Sequence, residues 1–232
     1  MSDLHKPVLP GRGESDYERY LRTDELLALQ KPAGEMLHRD ELLFQTIHQA
    51  SELWLKLACA EVAEAILHVD RGEVWPALRL LRRATDAIDL VSANTLMLEH
   101  IAPWDYHGVR RALGHGSGFD SPGFRASHEI SPKLGAAFAR ARERAGIDLL
   151  TLYRESHSHE ALFQLAERLI DWDERLVLWR GLHLKMVERV IGGQVIGTQG
   201  TPVEVLGRRI DVRYYPDLWD VRNALTDAAG KA

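Results

Sequence analysis

The 232-residue chain has one cysteine, no surplus of positive charge and no long apolar run. The single Cys59 excludes an intramolecular disulfide, and its apolar helical surroundings predict a small core residue, with a catalytic thiolate as the alternative. Lysine and arginine number 29 against 34 aspartate and glutamate, a net charge of −5. A general nucleic-acid binder carries a basic surplus, so we expect no nucleic-acid partner.

Two further absences bear on location. No stretch approaches the ~18 consecutive apolar residues of a membrane span, and the N-terminal residues lack the apolar run of a signal peptide. The sequence therefore predicts a cytoplasmic protein with no membrane partner. Hydrophobic residues make up 45% and charged residues 27%, which is typical of a globular chain. We expect a flexible arm over residues 1–14 and a single helical domain over residues 15–232.

The apolar spacing is helical almost throughout, which predicts an all-α helical bundle. Expected helices cover about 15–30, 40–70, 75–99, 103–113, 131–145, 147–170, 172–192 and 216–225. A glycine-rich loop at 114–123 and a glycine- and threonine-rich segment at 192–207 interrupt them. The second segment suits a loop that closes over a ligand.

Two histidines occupy positions in apolar helix stripes where a leucine would pack better. His48 follows Phe44 by one turn, and His183 follows Trp179 by one turn. A single histidine of this kind is more often a core residue hydrogen-bonded to a carbonyl. Two of them in the two longest apolar helices open the alternative of a shared ligand or metal site.

A second candidate group adjoins the glycine-rich loop. Tyr106 and Arg110 are four residues apart and share a helical face, where an arginine beside a tyrosine can grip a carboxylate. The alternative is a surface arginine lying over apolar stems. Ser117, in the loop itself, is either a donor to a ligand or a turn residue.

Five blocks of the sequence together resemble the tryptophan 2,3-dioxygenase family. They are YERYLRTDELLALQ, DELLFQTIHQASELWLKL, PWDYHGVRRALGHGSGFDSPGFR, LWRGLHLKMVERVIG, and GTQGTP followed by RYYPDLWDVRNAL. The patterns FQxxHQxxELW and WRxxHxxMVxRxIG are highly specific, and the blocks cover about half of the chain in family order. The resemblance implies a b-type haem pocket between helices, O₂ as co-substrate and a homo-oligomer, either a tetramer or a dimer.

The resemblance also implies a role for each candidate residue. His183 matches the axial ligand of the haem iron, and His48 matches the distal histidine that accepts the indole N–H. The predicted cofactor-binding residues are His183, Ser117 and Trp179. The predicted substrate-binding residues are Phe44, Tyr106, Arg110, Leu113, Thr198, Tyr17 and Leu21. Arg110 is the expected carboxylate clamp, and the N-terminal helix is expected to lend Tyr17 and Leu21 to a neighbouring subunit.

The implied activity is a haem-dependent dioxygenase that opens the indole C2–C3 bond of L-tryptophan or a close derivative, giving an N-formylkynurenine-type product. Two alternatives stay open. One is a monooxygenase or peroxygenase of the superfamily that acts on a substituted tryptophan or indole. The other is a non-catalytic haem-binding or gas-sensing protein, which would have no use for the carboxylate clamp Arg110.

The chain departs from the family pattern in three places. An extra helical segment of the family is reduced here to about residues 126–150. The GTGGS loop reads GTQGTP, so Gln199 replaces a glycine, Pro202 stiffens the loop, and one extra residue separates His183 from Thr198. The segment VEVLGRRIDVRYY replaces the usual continuation. We expect this altered lid to favour a substituted tryptophan over plain L-tryptophan.

Overall fold

The computed structural model describes residues 6–208 and 210–230, and most of these residues are in helices. The α-helices are α1 (Asp16–Leu21), α2 (Thr23–Leu27), α3 (Glu41–Asp70), α4 (Val74–Leu96), α5 (Pro103–Ala112), α6 (Pro122–Ala145), α7 (Leu149–Arg154), α8 (Glu160–Ile191), α9 (Glu204–Gly207) and α10 (Pro216–Ala229). Short 3₁₀ turns cover 33–35, 97–100, 118–120 and 156–159. The described residues contain no strand, only an isolated bridge between Ile196 and Pro202. The predicted all-α fold is confirmed.

Four long helices build the core. Helix α3 packs on α4 and α6, and α4 packs on α8. The large side chains Leu55, Leu81, Leu134 and Leu165 are fully buried where these helices meet. Burial of each leucine side chain stabilises the fold by about 1.5–3 kcal/mol relative to an exposed leucine. The packing of these side chains therefore fixes the four helices relative to each other. Within the described ranges, no helix is both long and apolar enough to cross a membrane.

The N-terminal region differs from the expected single helix over 15–30. Ser15 begins α1 with a capping box to Glu18, but Arg22 takes a left-handed conformation (φ 55°) and ends the helix. The chain then starts again as α2. Neither short helix buries a residue, so no core contact forces the two into one continuous helix.

Part of the predicted flexible arm makes specific contacts with α1. The backbone N–H groups of Val8 and Leu9 donate to the Asp16 carboxylate at 2.7–3.1 Å. Arg19 donates to the carbonyls of Leu9 and Gly13. Residues 1–5 lie outside the described residues, and the domain boundary at 14/15 stays a prediction.

Helix α6 begins well before the expected start at 131. The Ser121 side chain accepts the N–H of Phe124, and Pro122 occupies the first turn, where its missing N–H costs nothing. Glu52 of α3 accepts the backbone N–H of Gly123 at 2.9 Å. A carboxylate also interacts favourably with the positive end of a helix, so the GFDSPG segment ends in a helix start rather than in a long loop.

Helix α8 is one helix of 32 residues where two were expected with a break near 171. No glycine or proline occurs between 160 and 180 to end it, and Trp172 and Asp173 are buried at the expected break. The Asp173 carboxylate accepts the N–H groups of Tyr214 and Tyr215 and the Trp219 indole N–H at 3.0–3.3 Å. The buried carboxylate thereby anchors the C-terminal segment to α8.

Cys59 fits the role of a small core residue. Burial, with a contribution from the nearby Glu52 carboxylate, raises the pKa of its thiol to about 11. The sulfur therefore stays protonated at neutral pH, whereas a catalytic cysteine needs a lowered pKa.

Gly123 marks the closest approach of α6 to α3 and gives a test of the packing. A Cβ at this position would lie 2.6 Å from Cβ of Leu55 and 2.7 Å from Oε2 of Glu52. Since Cβ of Leu55 cannot swing away, Gly123→Ala is expected to lower the free energy of unfolding by about 1–3 kcal/mol in urea titrations. Gly181→Ala in α8 is the matched control, because its Cβ would meet no atom within 4 Å. That variant should gain up to ~1 kcal/mol, and equal stability of the two variants would contradict the close approach.

Candidate active site

A cavity of about 640 Å³ lies among α3, α5, α6 and α8 and is bordered by the loops around 116–121 and 197–206. This volume falls within the range of ~300–1,000 Å³ typical of small-molecule sites. The structure brings most of the predicted site residues to its walls. They are Phe44, His48, Tyr106, Arg110, Leu113, Ser117, Trp179, His183 and Thr198.

Tyr17 and Leu21 do not line this cavity. Both lie on α1, and they are 69% and 45% exposed. Their predicted role requires a second subunit, since the resemblance assigns them to a neighbour's pocket.

His48 presents an unprotonated ring nitrogen to the cavity. Its Nδ1 lies 2.7 Å from the carbonyl oxygen of Phe44 and therefore carries the proton, which leaves Nε2 as an acceptor. The Phe44 ring stacks on the imidazole with 4.0 Å between centroids. Surrounding protein atoms lower the pKa of His48 by desolvation, opposed by the Phe44 carbonyl and by Glu52. The ring keeps accessible surface because it borders the cavity, and it is neutral at pH 7.

His183 lies at the end of an aromatic stack. Phe124 stacks on Trp179 at 3.6 Å between centroids, and Trp179 stacks on His183 at 5.1 Å with 8° between the planes. The Trp179 indole N–H donates to the Thr95 hydroxyl at 3.2 Å, which fixes the stack. Burial, with a smaller effect of His48, lowers the pKa of His183 to about 4. The imidazole is therefore neutral and held in one orientation.

The Nε2 side of His183 is kept clear by a glycine. A Cβ on Gly118 would lie 3.8 Å from Cε1 and 3.9 Å from Nε2 of His183. A side chain at position 118 would contact the imidazole and narrow the space beside Nε2. Among the described residues, none forms a hydrogen bond with the His183 ring, so its nitrogens are available.

These features fit a haem group. A neutral imidazole is the form that coordinates iron, and the cavity offers space beside His183 with an apolar wall of Leu176, Met186 and Val190. Arg125 lines the same cavity and offers a positive charge to a haem carboxylate. Arg180 also lines the cavity, but its guanidinium donates to the carbonyl of Val212 at 2.6 Å.

The side of the cavity at α5 carries hydrogen-bonding groups that can bind a polar part of a ligand. Arg110 donates from Nη2 to the carbonyl of Ile196 at 2.7 Å, which leaves its other N–H groups for a ligand. Thr198 donates its hydroxyl proton to the carbonyl of Gly116 at 2.6 Å, so the oxygen lone pairs are available as acceptors. Burial raises the pKa of the Tyr106 phenol, which is therefore uncharged.

A second, more open basin of about 720 Å³ adjoins the cavity and shares Arg110, Gly197 and Thr198 with it. Its other walls include Arg111, His107, His115 and Trp104. The shared residues form a mouth between the basin and the cavity. Arg110 at this mouth and Arg111 in the basin favour the approach of an anionic group.

Sequence reasoning missed Glu52, although the FQxxHQxxELW block contains it one turn after His48. Glu52 borders the cavity, accepts from the Ser121 hydroxyl and accepts the Gly123 N–H at 2.9 Å. It therefore ties the glycine-rich segment and the start of α6 to the helix that carries His48. A carboxylate on an otherwise apolar helix face was the available signal.

Fold and site together define an all-α protein with a ligand cavity enclosed among its helices and faced by two uncharged histidines. A family model described as tryptophan 2,3-dioxygenase matches residues 6–144 and 127–225. The chain belongs to the tryptophan 2,3-dioxygenase family. The match is divided within residues 127–144, which fall in the segment expected to be shortened.

Individual relatives agree with this assignment. The chain is 34% identical to a tryptophan 2,3-dioxygenase of Caulobacter vibrioides over 260 aligned positions, which cover 90% of this chain and 98% of the relative. It is 31% identical to a tryptophan 2,3-dioxygenase of Xanthomonas euvesicatoria over 92% of this chain and 88% of the relative. The first alignment is longer than the 232-residue chain, so the relative has residues that are missing here.

Proposed function

We propose that the protein is a haem-dependent tryptophan 2,3-dioxygenase. It adds both atoms of O₂ across the indole C2–C3 bond of L-tryptophan or a close derivative, which opens the ring and gives an N-formylkynurenine-type product. The observation that carries the proposal is the position of His48, His183 and Arg110 on the walls of one cavity. When bound, haem supplies the activation of O₂, which amino-acid side chains do not provide.

His183 would hold the haem iron through its imidazole. Its low pKa keeps the imidazole in the neutral, coordinating form across the physiological range. The stack with Trp179 and Phe124 fixes the ring plane, so the ligand needs little reorganisation on binding. Arg125 would pair with a haem carboxylate at the cavity wall, and Ser117 would lie beside the group.

His48 orients the indole ring. With the Nδ1 proton directed to the Phe44 carbonyl, Nε2 accepts the indole N–H, and the proton stays on the indole nitrogen. The Phe44 ring restricts the imidazole and adds an apolar surface for the substrate. The apolar cavity excludes water. This strengthens the hydrogen bond between His48 and the indole and prevents side reactions of water during oxygenation.

Arg110 and Thr198 bind the amino-acid end of the substrate. The free N–H groups of Arg110 donate to the carboxylate, and the lone pairs of the Thr198 hydroxyl accept from the ammonium group. Neutral Tyr106 and Leu113 form the wall between this end and the indole. Binding at both ends holds the C2–C3 bond in one place.

The alternatives are weaker. Both relatives named above are tryptophan 2,3-dioxygenases, and no residue of the cavity favours a monooxygenase over a dioxygenase. A gas sensor needs no carboxylate clamp, yet Arg110 lies at the cavity mouth.

The protein acts as a cytoplasmic homo-oligomer, a tetramer or a dimer, in which Tyr17 and Leu21 reach a neighbouring subunit. The support is the apolar surface of the N-terminal helices. Tyr17, Leu21 and Leu27 are 69%, 45% and 74% exposed, and neither α1 nor α2 buries a residue in the single chain. Exposed apolar side chains in such a cluster are typical of an interface.

Isotope labelling tests the reaction. The haem-loaded, anaerobically reduced protein is mixed with L-tryptophan and ¹⁸O₂, and the products are analysed by mass spectrometry. We expect N-formylkynurenine with both oxygen atoms from O₂. One labelled atom would indicate a monooxygenase, and O₂ binding without turnover would indicate a sensor. β- and ring-methylated tryptophans measured in parallel test whether the altered lid prefers a substituted substrate.

A further inference from the structure

Residues 195–203 form a small hairpin over the mouth of the cavity. Val203 N–H donates to the carbonyl of Val195 at 3.1 Å, and Gly197 N–H donates to the carbonyl of Thr201 at 2.8 Å. Gly200 takes a φ of 76° in the turn, a conformation that glycine adopts without strain. The hairpin therefore has a defined shape of its own, and its position depends on contacts with the rest of the chain.

Three contacts fix the hairpin to the cavity walls. Arg110 donates to the carbonyl of Ile196, and Thr198 donates to the carbonyl of Gly116. Both of these donors also bind the substrate in the proposed function, through the N–H groups of Arg110 and the oxygen lone pairs of Thr198 that the hairpin leaves available. The third contact comes from Gln199, which binds no part of the substrate in the proposed function.

Gln199 donates from Nε2 to Oδ2 of Asp120 at 2.6 Å. The same carboxylate oxygen accepts the backbone N–H of Ser117 at 3.0 Å, so Asp120 is already held in place by its own turn. The acceptor is charged, and such hydrogen bonds are shorter and stronger than neutral ones. The bond joins the tip of the hairpin to the turn that lines the cavity beside His183.

We propose that Gln199 is a positioning residue that latches the hairpin onto the 116–120 turn and so fixes Thr198 above the amino-acid end of the substrate. The glycine of the GTGGS pattern has no side chain to make this contact, so the latch is a property of the GTQGTP loop. Thr198 is the direct neighbour of Gln199 in the chain, and a hairpin free to lift would carry its hydroxyl away from Gly116. The inference rests on the proposed function only for the identity of the substrate.

The experiment uses the haem-loaded protein and four variants. Gln199→Ala removes the donor, and Gln199→Glu places a second carboxylate against Asp120. The double variant Gln199→Glu with Asp120→Asn restores a donor–acceptor pair with the roles reversed. Gln194→Ala, at an exposed glutamine that precedes the hairpin, is the matched control.

Two measurements are made on each variant. Amide hydrogen exchange of the peptide covering 194–203 reports the latch without any turnover, and steady-state kinetics with L-tryptophan report its effect on binding. Gln199→Ala should speed exchange and raise KM by about three- to tenfold, with kcat changed less than twofold, as expected for loss of one hydrogen bond. Gln199→Glu should have a larger effect, and the double variant should recover most of the loss.

The outcomes separate the latch from the proposed reaction. Unchanged exchange and KM in Gln199→Ala, or no recovery in the double variant, would overturn the latch even if dioxygenation is normal. Faster exchange in Gln199→Ala that the double variant reverses would support the latch even if no N-formylkynurenine forms. An equal effect of Gln194→Ala would show general loosening of the loop and would also overturn it.

Discussion

Replacement of His183 by alanine is expected to weaken haem binding by more than about 100-fold and to abolish oxygenation. Loss of a partner that only supports a metal ligand typically costs ~10–100-fold in affinity, and loss of the ligand itself should cost more. The neutral imidazole of His183, stacked on Trp179, is the one predicted axial ligand. Haem stoichiometry and the absorption spectrum after reconstitution measure the effect. Exogenous imidazole should restore part of the binding, because the substitution leaves a space of that shape.

His48→Ala separates the two histidines. If His48 only orients the substrate, this variant keeps its haem and a five-coordinate ferrous spectrum, while turnover falls. His157→Ala, at an exposed residue of the 156–159 turn that does not line the cavity, controls for loss of any histidine. Unchanged haem content and spectrum in His183→Ala would refute the assignment, and haem loss in His48→Ala instead would exchange the two roles.

The sequence predicted the long helices because their patterns are regular. The bounds expected for α3 and for α5 agree with the structure to within one residue, since apolar periodicity and a breaker at each end act over a short range. The single helix α8 was predicted as two, because only the burial of Trp172 and Asp173 reveals that the helix continues through the polar residues near 171. Tertiary burial of that kind is invisible to a local pattern.

The site was predictable where a residue type has few uses. A histidine in an apolar stripe replaces a better-packing leucine, so the sequence alone indicates His48 and His183 as site residues, and both line the cavity. Glu52 and Asp120 were missed, because each acts through a partner distant in sequence, Gly123 for Glu52 and Gln199 for Asp120. Carboxylates are common on helix surfaces and in turns, and only the fold shows which of them meet a donor.

Removal of the Arg110 guanidinium is expected to erase the preference for a substrate with a carboxylate. In the unaltered protein, tryptamine should react with a kcat/KM about 30- to 5,000-fold lower than L-tryptophan, because a charge-assisted pair is worth roughly 2–5 kcal/mol when one partner is lost. In Arg110→Ala the two substrates should differ by less than about tenfold, mainly through loss of tryptophan turnover. Steady-state kinetics with both substrates measure the change.

If the positive charge of Arg110 acted only at long range, removal of another arginine would reduce the preference for L-tryptophan equally. Arg79→Ala removes the same charge from an exposed position on α4 and is the matched control. If the preference for L-tryptophan falls equally in both variants, it arises from the overall field of the protein and not from a clamp. Equal kcat/KM for tryptophan and tryptamine in the unaltered protein would show that Arg110 does not bind the substrate carboxylate.

Arg110→Lys tests the geometry of the arginine separately from its charge. Nη2 of Arg110 also donates to the Ile196 carbonyl of the hairpin, and lysine cannot hold the carboxylate and this carbonyl in one planar arrangement. Arg110→Lys should therefore restore the charge but only part of the preference for L-tryptophan.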